Sequence, residues 1–505
     1  MQRRLNRAGS CAVLIADREH VRNVLPTIMI ENQAKFVKYI EENKNELVNT
    51  LAEAVGIPSI SGDASYRPEV VRMGKWLESQ FKDAGAQTSL HDLGKQNLNG
   101  QELDLPPVVY AQIGEDPKKK TVLVYGHYDV QPALKSDGWD SEPFKLVEDE
   151  KTGRLYGRGS TDDKGPILGW LHVLRAHKAL GIELPVNLKF CFEGMEESGS
   201  EGLEEFVSKE ATGLFTGVDA VCISDNYWLG TSKPCLTHGL RGIAYFKLEI
   251  KGPARDLHSG VFGGMVHEPM TDLVKIMSTL VSPDGKILIP GVNDQVAPLT
   301  DKERAVYDVM DFSLSDVENA AGSKTTVSEN KPDVLMARMR YPSLSLHGIE
   351  GAFAEPGSKT VIPARVVGKF SIRLVPDMQP ETIVEAVKKH VEQEFEKLHS
   401  KNTMSLHPDQ PGKPWMADPN HWNYEAAFKA TQDIYGVKPD LTREGGSIPI
   451  TLTFADKLDR NVLLLPMGRS DDGAHSTNEK LDLSNYIKGT ELLGSYLYEV
   501  ANFAP

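Results

Sequence analysis

Apolar residues in the first half of the chain follow two alternating patterns. Short runs rich in β-branched and aromatic residues predict buried strands, as in TVLVYGHYDV, VNLKFCFEGM and DAVCISD. Longer stretches predict helices, one of which begins near Asp163 and continues through ILGWLHVLRAHKAL. Between residues 30 and 237 this alternation predicts an α/β fold, a mostly parallel sheet with covering helices.

A different pattern begins at Gly239. RGIAYFKLEIKG and ARVVGKFSIRLV alternate apolar with polar residues, as strands of a sheet with one solvated face do. Two helical segments, MTDLVKIMSTL and PETIVEAVKKHVEQEFEKL, accompany these strands. From about Gly412 the α/β pattern returns, with NVLLLPM as a strand. We therefore predict an N-terminal extension (1–29), an α/β domain in two parts (30–237 and 413–505) and an α+β domain inserted between them (238–412).

Composition narrows the class of protein. The 505 residues include 56 basic and 71 acidic ones, and the net charge of −15 disfavours a nucleic-acid partner. The four cysteines form no CxxC pair, which disfavours a zinc ribbon or a disulfide scaffold. No run of 18 apolar residues occurs, so we expect no ordinary membrane span.

The first 29 residues allow two interpretations. They are rich in arginine, and their one apolar stretch, residues 11–16, is too short for a secretory signal. A mitochondrial presequence is one alternative. We favour an extension or an upstream start codon, because Met29 is followed directly by the helical pattern IENQAKFVKYIEENKNELVNTLAEAV, and we expect a cytoplasmic protein.

Potential metal ligands stand at or just after the ends of the predicted strands. They are His127, Asp162 with Asp163, Glu196 with Glu197, Asp225, and His475 in DDGAHS. An open α/β sheet binds ligands at the carboxyl ends of its strands, and imidazole with carboxylate suits Zn²⁺ or Mn²⁺. Taken singly, the aspartate pair could be a helix N-cap and the glutamate pair a surface turn. Their joint occurrence favours a centre for two zinc-like ions.

Two local arguments refine this candidate site. In an extended strand end, residues i and i+2 project to the same side, so Asp129 can follow His127 into one crevice. Glu196 and Glu197 cannot point the same way if the backbone is extended. One can bind metal while the other addresses a water molecule.

Together the motifs carry a resemblance. GHYDVQPA, GRGSTDDKGP, EGMEESGSEGL, ISDNYWLG, DLHSG, TREGGSIP and DDGAHS resemble the di-metal metallopeptidase family of aminoacylase and carboxypeptidase G, from about residue 30 to 500. Within this family the chain is most similar to the branch of cytosolic non-specific dipeptidase, carnosinase and Cys-Gly metallodipeptidase. The resemblance implies a catalytic domain with an inserted lid and dimerisation domain. It also implies hydrolysis of dipeptides, including Cys-Gly from glutathione breakdown.

The resemblance assigns roles residue by residue. It implies that Asp162 bridges two divalent ions, with His127 and Asp225 on one ion, Glu197 and His475 on the other, Asp129 orienting His127, and Glu196 as general base. It also implies a cis peptide bond after Asp162.

Substrate contacts are assigned in the same way. The resemblance implies that His258 reaches the active site of a partner subunit in a homodimer, although action within its own subunit stays open. Arg373 would bind the free carboxylate of a peptide, for which a guanidinium is a natural bidentate partner. Further contacts implied are Thr360, Ser447, Asp225 and His475.

Two alternatives remain at this stage. An N-acyl amino acid deacylase would keep all the metal residues and differ only in its substrate pocket. A non-catalytic binding protein on the same fold would be expected to lack a ligand or the base, and no motif residue is missing. The sequence leaves the choice of zinc or manganese and the preferred dipeptide open.

Overall fold

The structure, a computed structural model, describes residues 29–98, 100–446 and 448–503. The chain forms two compact units: the first comprises Met1–Leu236, Pro419–Asp440 and Phe454–Pro505, and the second Thr237–Asp418 and Leu441–Thr453. Residues 1–28 of the predicted N-terminal extension lie outside the described residues. The predicted domain boundaries stay predictions. Among the described helices, none combines the length and apolarity needed to cross a bilayer.

A mixed sheet forms the centre of the first unit. Its middle strand, Thr121–His127, pairs in parallel with Asn187–Glu193 on one side and Ala220–Ile223 on the other. Val462–Leu464 adds a further parallel strand beside Ala220–Ile223. Two antiparallel strands, Val108–Ile113 and Gln87–His91, continue the sheet beyond Asn187–Glu193. The four parallel strands are short and apolar, as predicted, because both of their faces are covered.

Helices bury this sheet. The helix Lys164–Leu180 begins where its sequence predicted and is buried along most of its length. The other helices that lie wholly within the unit are 29–42, Lys44–Val55, Arg67–Asp83, Leu203–Glu210, Trp422–Tyr435 and Leu483–Ala501. The pattern after Met29, predicted as one helical stretch, is two helices. Asn43 interrupts it, and its side-chain amide donates to the carbonyl oxygen of Tyr39 at 2.8 Å.

Two smaller sheets complete the first unit. Lys95–Leu98 and Gln101–Asp104 form a hairpin. Arg154–Tyr156 lies between Val147–Asp149 and Lys480–Asp482, with both pairings antiparallel. This second sheet joins segments more than 300 residues apart in sequence, since Lys480 pairs with Tyr156. It therefore brings the loop after Tyr156 beside the loop before Lys480.

The second unit contains a four-stranded antiparallel sheet in the order Ser343–Glu350, Arg365–Leu374, Gly242–Lys251, Thr403–Pro408. Its inward residues, among them Phe246 and Phe370, pack with the helices Pro269–Met277 and Pro380–Lys397 in one core. Gly242–Lys251 shows most of the predicted alternation, whereas Val367 and Ser371 on the outward face of Arg365–Leu374 are also buried. The remaining elements here or at the unit boundary are Cys235–Leu240, Leu257–His258, Ser259–Phe262, the 3-10 helix Val292–Gln295, Asp301–Val309, Leu314–Ala321, Lys331–Met339, Val361–Ile362, Trp415–Met416, Asp440–Glu444 and Pro449–Leu458.

Candidate metal centre

The predicted ligands all lie in the first unit, at the end of a strand or on the loops between its elements. His127 is the last residue of the middle strand, and Asp225 comes two residues after Ala220–Ile223. Glu197 lies in a 3-10 turn, Glu196–Ser198, shortly after Asn187–Glu193. Asp162 precedes the helix Lys164–Leu180, and His475 lies before Lys480–Asp482. The peptide bond between Asp162 and Asp163 is cis, as the resemblance implies.

One group of ligands is buried. It consists of His127, Asp162 and Asp225, whose donor atoms lie within 4.8 Å of one another. His127 Nε2 is 3.1 Å from Asp162 Oδ1 and 3.7 Å from Asp225 Oδ1. The three residues are at most 9% exposed. We call this the buried group.

A second group contains the other oxygen of the same aspartate. His475 Nε2 is 3.1 Å from Asp162 Oδ2 and 2.9 Å from Glu197 Oε2. The side chain of His475 is 57% exposed, and we call this the open group. Asp162 therefore presents one carboxylate oxygen to each group, the arrangement of a carboxylate shared between two cations.

Burial and mutual repulsion dominate the electrostatics of these carboxylates. Burial and the charges of Asp225 and Glu197 raise the pKa of Glu196 well above its usual value, against the lowering effect of His127. Burial also raises the pKa values of Asp225 and Glu197. Hydrogen bonds to Asp162 and Glu197 raise the pKa of His475 to about 10.

This chemistry fits a divalent metal site. Each group offers one imidazole nitrogen and two carboxylate oxygens, a donor set that borderline divalent ions accept. Buried carboxylates that crowd together are costly unless a positive charge neutralises them. The residues present are therefore suited to binding divalent metal.

Asp129 supports both sides of the site. Its Oδ1 and Oδ2 accept the backbone N–H groups of Glu196, at 3.2 Å, and Glu197, at 3.1 Å. Nδ1 of His127 lies 3.1 Å from the carbonyl oxygen of Asp129 and 3.4 Å from its Oδ1. Asp129 thus contacts the second nitrogen of His127 and also holds the turn that carries the two glutamates.

Sequence reasoning missed three further contacts around the ligands. Gln131 Nε2 donates to Glu197 Oε2 at 2.8 Å, and the backbone N–H of His127 donates to Asp163 Oδ2 at 3.1 Å. Asp163 occupies the N-cap position of its helix but makes no capping hydrogen bond. Glu479 accepts the backbone N–H of Asp162 at 3.2 Å. The residues that make these contacts, Gln131, Asp163 and Glu479, stand within or just after a motif quoted above, which is the signal that could have marked them as candidates.

Of the predicted substrate contacts, His258, Thr360 and Arg373 lie in the second unit, whereas Asp225 and His475 lie in the first, among the ligands described above. His258 and Thr360 are exposed and adjacent, since the N–H of Ser259 donates to the carbonyl oxygen of Thr360 at 3.1 Å. His258 Nδ1 accepts the N–H of Gly260 at 3.0 Å. Arg373 is half-buried in Arg365–Leu374, and burial lowers its pKa. Ser447 lies outside the described residues.

Known proteins similar to this chain fit the same class. Residues 123–499 match the peptidase family M20/M25/M40. The Cys-Gly metallodipeptidase dug1 of Schizosaccharomyces pombe is 54% identical over 93% of this chain and 99% of its own length. The human Beta-Ala-His dipeptidase is 45% identical over 92% of each chain. The solved structure of the di-peptidase Dug1p from Saccharomyces cerevisiae matches with a TM-score of 0.86 and 53% identity, over 93% of this chain and 99% of that chain.

The chain belongs to the peptidase family M20/M25/M40. The predicted α/β fold and the resemblance to the dipeptidase branch are confirmed. The predicted class of enzyme, a metal-dependent dipeptidase that hydrolyses peptide bonds, is confirmed as well.

Proposed function

We propose that the protein is a two-metal dipeptidase that cleaves Cys-Gly and other short peptides with free ends. The observation that carries this proposal is the placement of Asp162, with one oxygen facing the buried group and the other facing the open group. The names of the relatives support the substrate class, since one is a Cys-Gly metallodipeptidase and another a Beta-Ala-His dipeptidase.

Two ions of zinc or manganese per subunit would be held by these two groups. His127, Asp225 and Asp162 would hold the first, and Glu197, His475 and Asp162 the second. Bound there, such ions polarise a peptide carbonyl and lower the pKa of a bound water to about 7.

Glu196 is the general base in this proposal. Its carboxylate takes a proton from the attacking water, whose oxygen adds to the carbonyl carbon of the peptide bond. When the carbon–nitrogen bond breaks, Glu196 delivers that proton to the leaving amine. The backbone N–H of Glu196 donates to Asp129, which holds the turn that carries this base.

Polar side chains would recognise the substrate. Arg373 pairs with the terminal carboxylate, and Thr360 and Ser447 supply further polar contacts. His258 stabilises the developing oxyanion, and we propose that it does so from the partner subunit of a homodimer. The side chain of His258 is exposed, which supports a contact with groups of another subunit.

One panel tests the proposed function. Metal-stripped protein is assayed on Cys-Gly, β-Ala-His and an N-acetyl amino acid, before and after addition of Zn²⁺ or Mn²⁺. We expect metal-dependent cleavage of a dipeptide. Cleavage of the acyl amino acid alone would replace the proposal with a deacylase. No cleavage of any of the three, with metal demonstrably bound, would favour a non-catalytic protein.

The homodimer has a separate test. His258→Ala subunits are mixed with Glu196→Ala subunits, each inactive alone. If His258 acts across the interface, random pairing restores about a quarter of the wild-type rate, since half of the dimers then contain one intact site. No recovery after confirmed subunit exchange would place His258 in its own subunit's site. Cell fractionation tests the proposed cytoplasmic location against the mitochondrial alternative.

A further inference from the structure

Glu479 is a buried carboxylate for which the catalytic proposal has no use. It is 0% exposed and lies four residues after His475, immediately before the strand Lys480–Asp482. Its Oε1 accepts the backbone N–H groups of Thr161, at 3.0 Å, and Asp162, at 3.2 Å. Its Oε2 accepts the backbone N–H of Gly159 at 3.0 Å. A side chain from the His475 loop thus binds the backbone of the loop that carries Asp162.

An arginine completes the contacts of this carboxylate. Arg158 Nη1 donates to Glu479 Oε2 at 2.8 Å, and its Nη2 donates to the carbonyl oxygen of Ser476 at 3.1 Å. The two carboxylate oxygens therefore receive four donors, which is about their full accepting capacity. Because its lone pairs are used in this way, Glu479 is placed as a support for the ligands and is not itself a ligand.

The two loops are tied at further points. The N–H of Gly157 donates to the carbonyl oxygen of Glu479 at 3.0 Å. Thr161 Oγ1 donates to Asp472 Oδ2 at 2.8 Å, and the N–H of Arg469 donates to the same oxygen at 2.9 Å. These bonds hold residues 157–162 against residues 469–480. Asp162 and His475, 3.1 Å apart, are carried by these two loops.

We propose that Glu479 is a positioning residue of the metal centre, which fixes Asp162 with one oxygen toward each ligand group and keeps His475 opposite it. This inference rests on the proposed two-metal function. A fully buried carboxylate destabilises the folded protein unless it is paired and hydrogen-bonded. All four donors to the Glu479 carboxylate belong to the loop that carries Asp162, so these hydrogen bonds hold Asp162 in place.

The test measures metal affinity of the full-length protein by competition with a chromophoric chelator for Zn²⁺ and Mn²⁺. Glu479→Gln keeps the shape of the side chain but places an amide group against the same donors. We expect its metal affinity to fall about 10- to 100-fold, the usual cost of losing a group that orients a ligand. The control is Glu499→Gln, which changes another buried glutamate, one paired with Lys429. The control should bind metal as the unmodified protein does.

A second variant tests the proposal if Glu479→Gln does not fold. Glu479→Asp keeps the charge but is one methylene shorter, so we expect a smaller loss of affinity than for Glu479→Gln, measured well below the unfolding temperature of each protein. Wild-type affinity in whichever Glu479 variants fold would overturn the positioning role. Equal losses in Glu479→Gln and in the control Glu499→Gln would also overturn it, since they would reflect general destabilisation. Failure of the unmodified protein to bind either metal would overturn the two-metal function itself.

Discussion

The two ligand groups of the metal centre share Asp162 but differ in how they are built. The buried group takes His127 from the last residue of the middle strand and Asp225 from just after the neighbouring strand, and its residues are at most 9% exposed. The open group takes His475 from a loop, where the side chain is 57% exposed and the backbone φ of +59° lies in the left-handed region. The difference indicates that the sheet itself forms one half of the site, whereas loop contacts form the other half.

The largest expected effect concerns Glu196, the proposed base, which belongs to neither ligand group. Glu196→Gln should lower kcat about 10²- to 10⁴-fold, because it removes the general base. Metal content, measured by atomic emission on dialysed protein, should stay at the wild-type level. If the variant lost a metal ion together with its activity, Glu196 would be a ligand, and the division into two groups would have to be redrawn.

The next prediction compares the two histidines in metal-free protein. His127→Ala should lower the free energy of unfolding by about 3 kcal/mol or more, because it leaves buried carboxylates without their partner. His475→Ala should lower it by at most about 1 kcal/mol, since its ion pairs are partly exposed. Urea denaturation followed by circular dichroism measures both.

A matched control exists for the loss of a buried imidazole. His172 is 2% exposed, and burial lowers its pKa to about 3, so it is neutral in the folded protein. His172→Ala should destabilise the fold and leave metal binding unchanged. Equal destabilisation by His127→Ala and His475→Ala would erase the contrast between the buried and open groups.

A smaller effect is expected at Asp129, which serves both groups. Asp129→Asn keeps the size of the side chain but replaces one acceptor oxygen with a donor that faces a backbone N–H. We expect metal affinity to fall about 10- to 100-fold, with the ions of both groups affected. Isothermal titration with Mn²⁺ resolves the two ions. Loss of affinity only for the ion of the buried group would show that Asp129 acts only through His127.

The last prediction isolates burial from metal chemistry. Burial and the charge of Glu41 raise the pKa of Glu491 to about 7, against the lowering effect of Lys488. A raised carboxylate pKa destabilises the folded state as the pH rises from about 4.5, the unfolded value, to about 7. Glu491→Gln should therefore unfold at a higher temperature than the wild type at pH 8, and the advantage should vanish at pH 4. The expected difference at pH 8 is about 1 to 3 kcal/mol.

Much of the buried group was predictable from the sequence. His127 and Asp225 each follow a short apolar run, and parallel strands bring their carboxyl ends to one edge of the sheet. The open group was predictable as a set of residues, through motif order, but its geometry was not. His475 reaches Asp162 because Lys480 pairs with Tyr156. No local sequence pattern predicts a pairing between residues so far apart in the chain.

Polar residues that act through the backbone were the hardest to predict. Glu479 in STNEKLD reads as an ordinary charged loop residue, and only the folded chain shows that it accepts N–H groups from Gly159, Thr161 and Asp162. Gln131 was equally hard to predict, although its contact is with the side chain of Glu197, because that contact depends on two neighbouring strands. The break at Asn43 was missed because hydrophobic periodicity continues across it.

The position of Val462–Leu464 has a consequence for biosynthesis. This strand pairs with Ala220–Ile223, so Val221 has no partner on that side until the ribosome has added the residues up to Val462. At about 5 to 20 residues per second, this delay is roughly 10 to 50 s, during which an apolar strand edge of the nascent chain has no partner. We expect ribosome-bound chains that stop before residue 462 to be captured by chaperones more strongly than chains that extend through residue 505, which crosslinking during translation would measure.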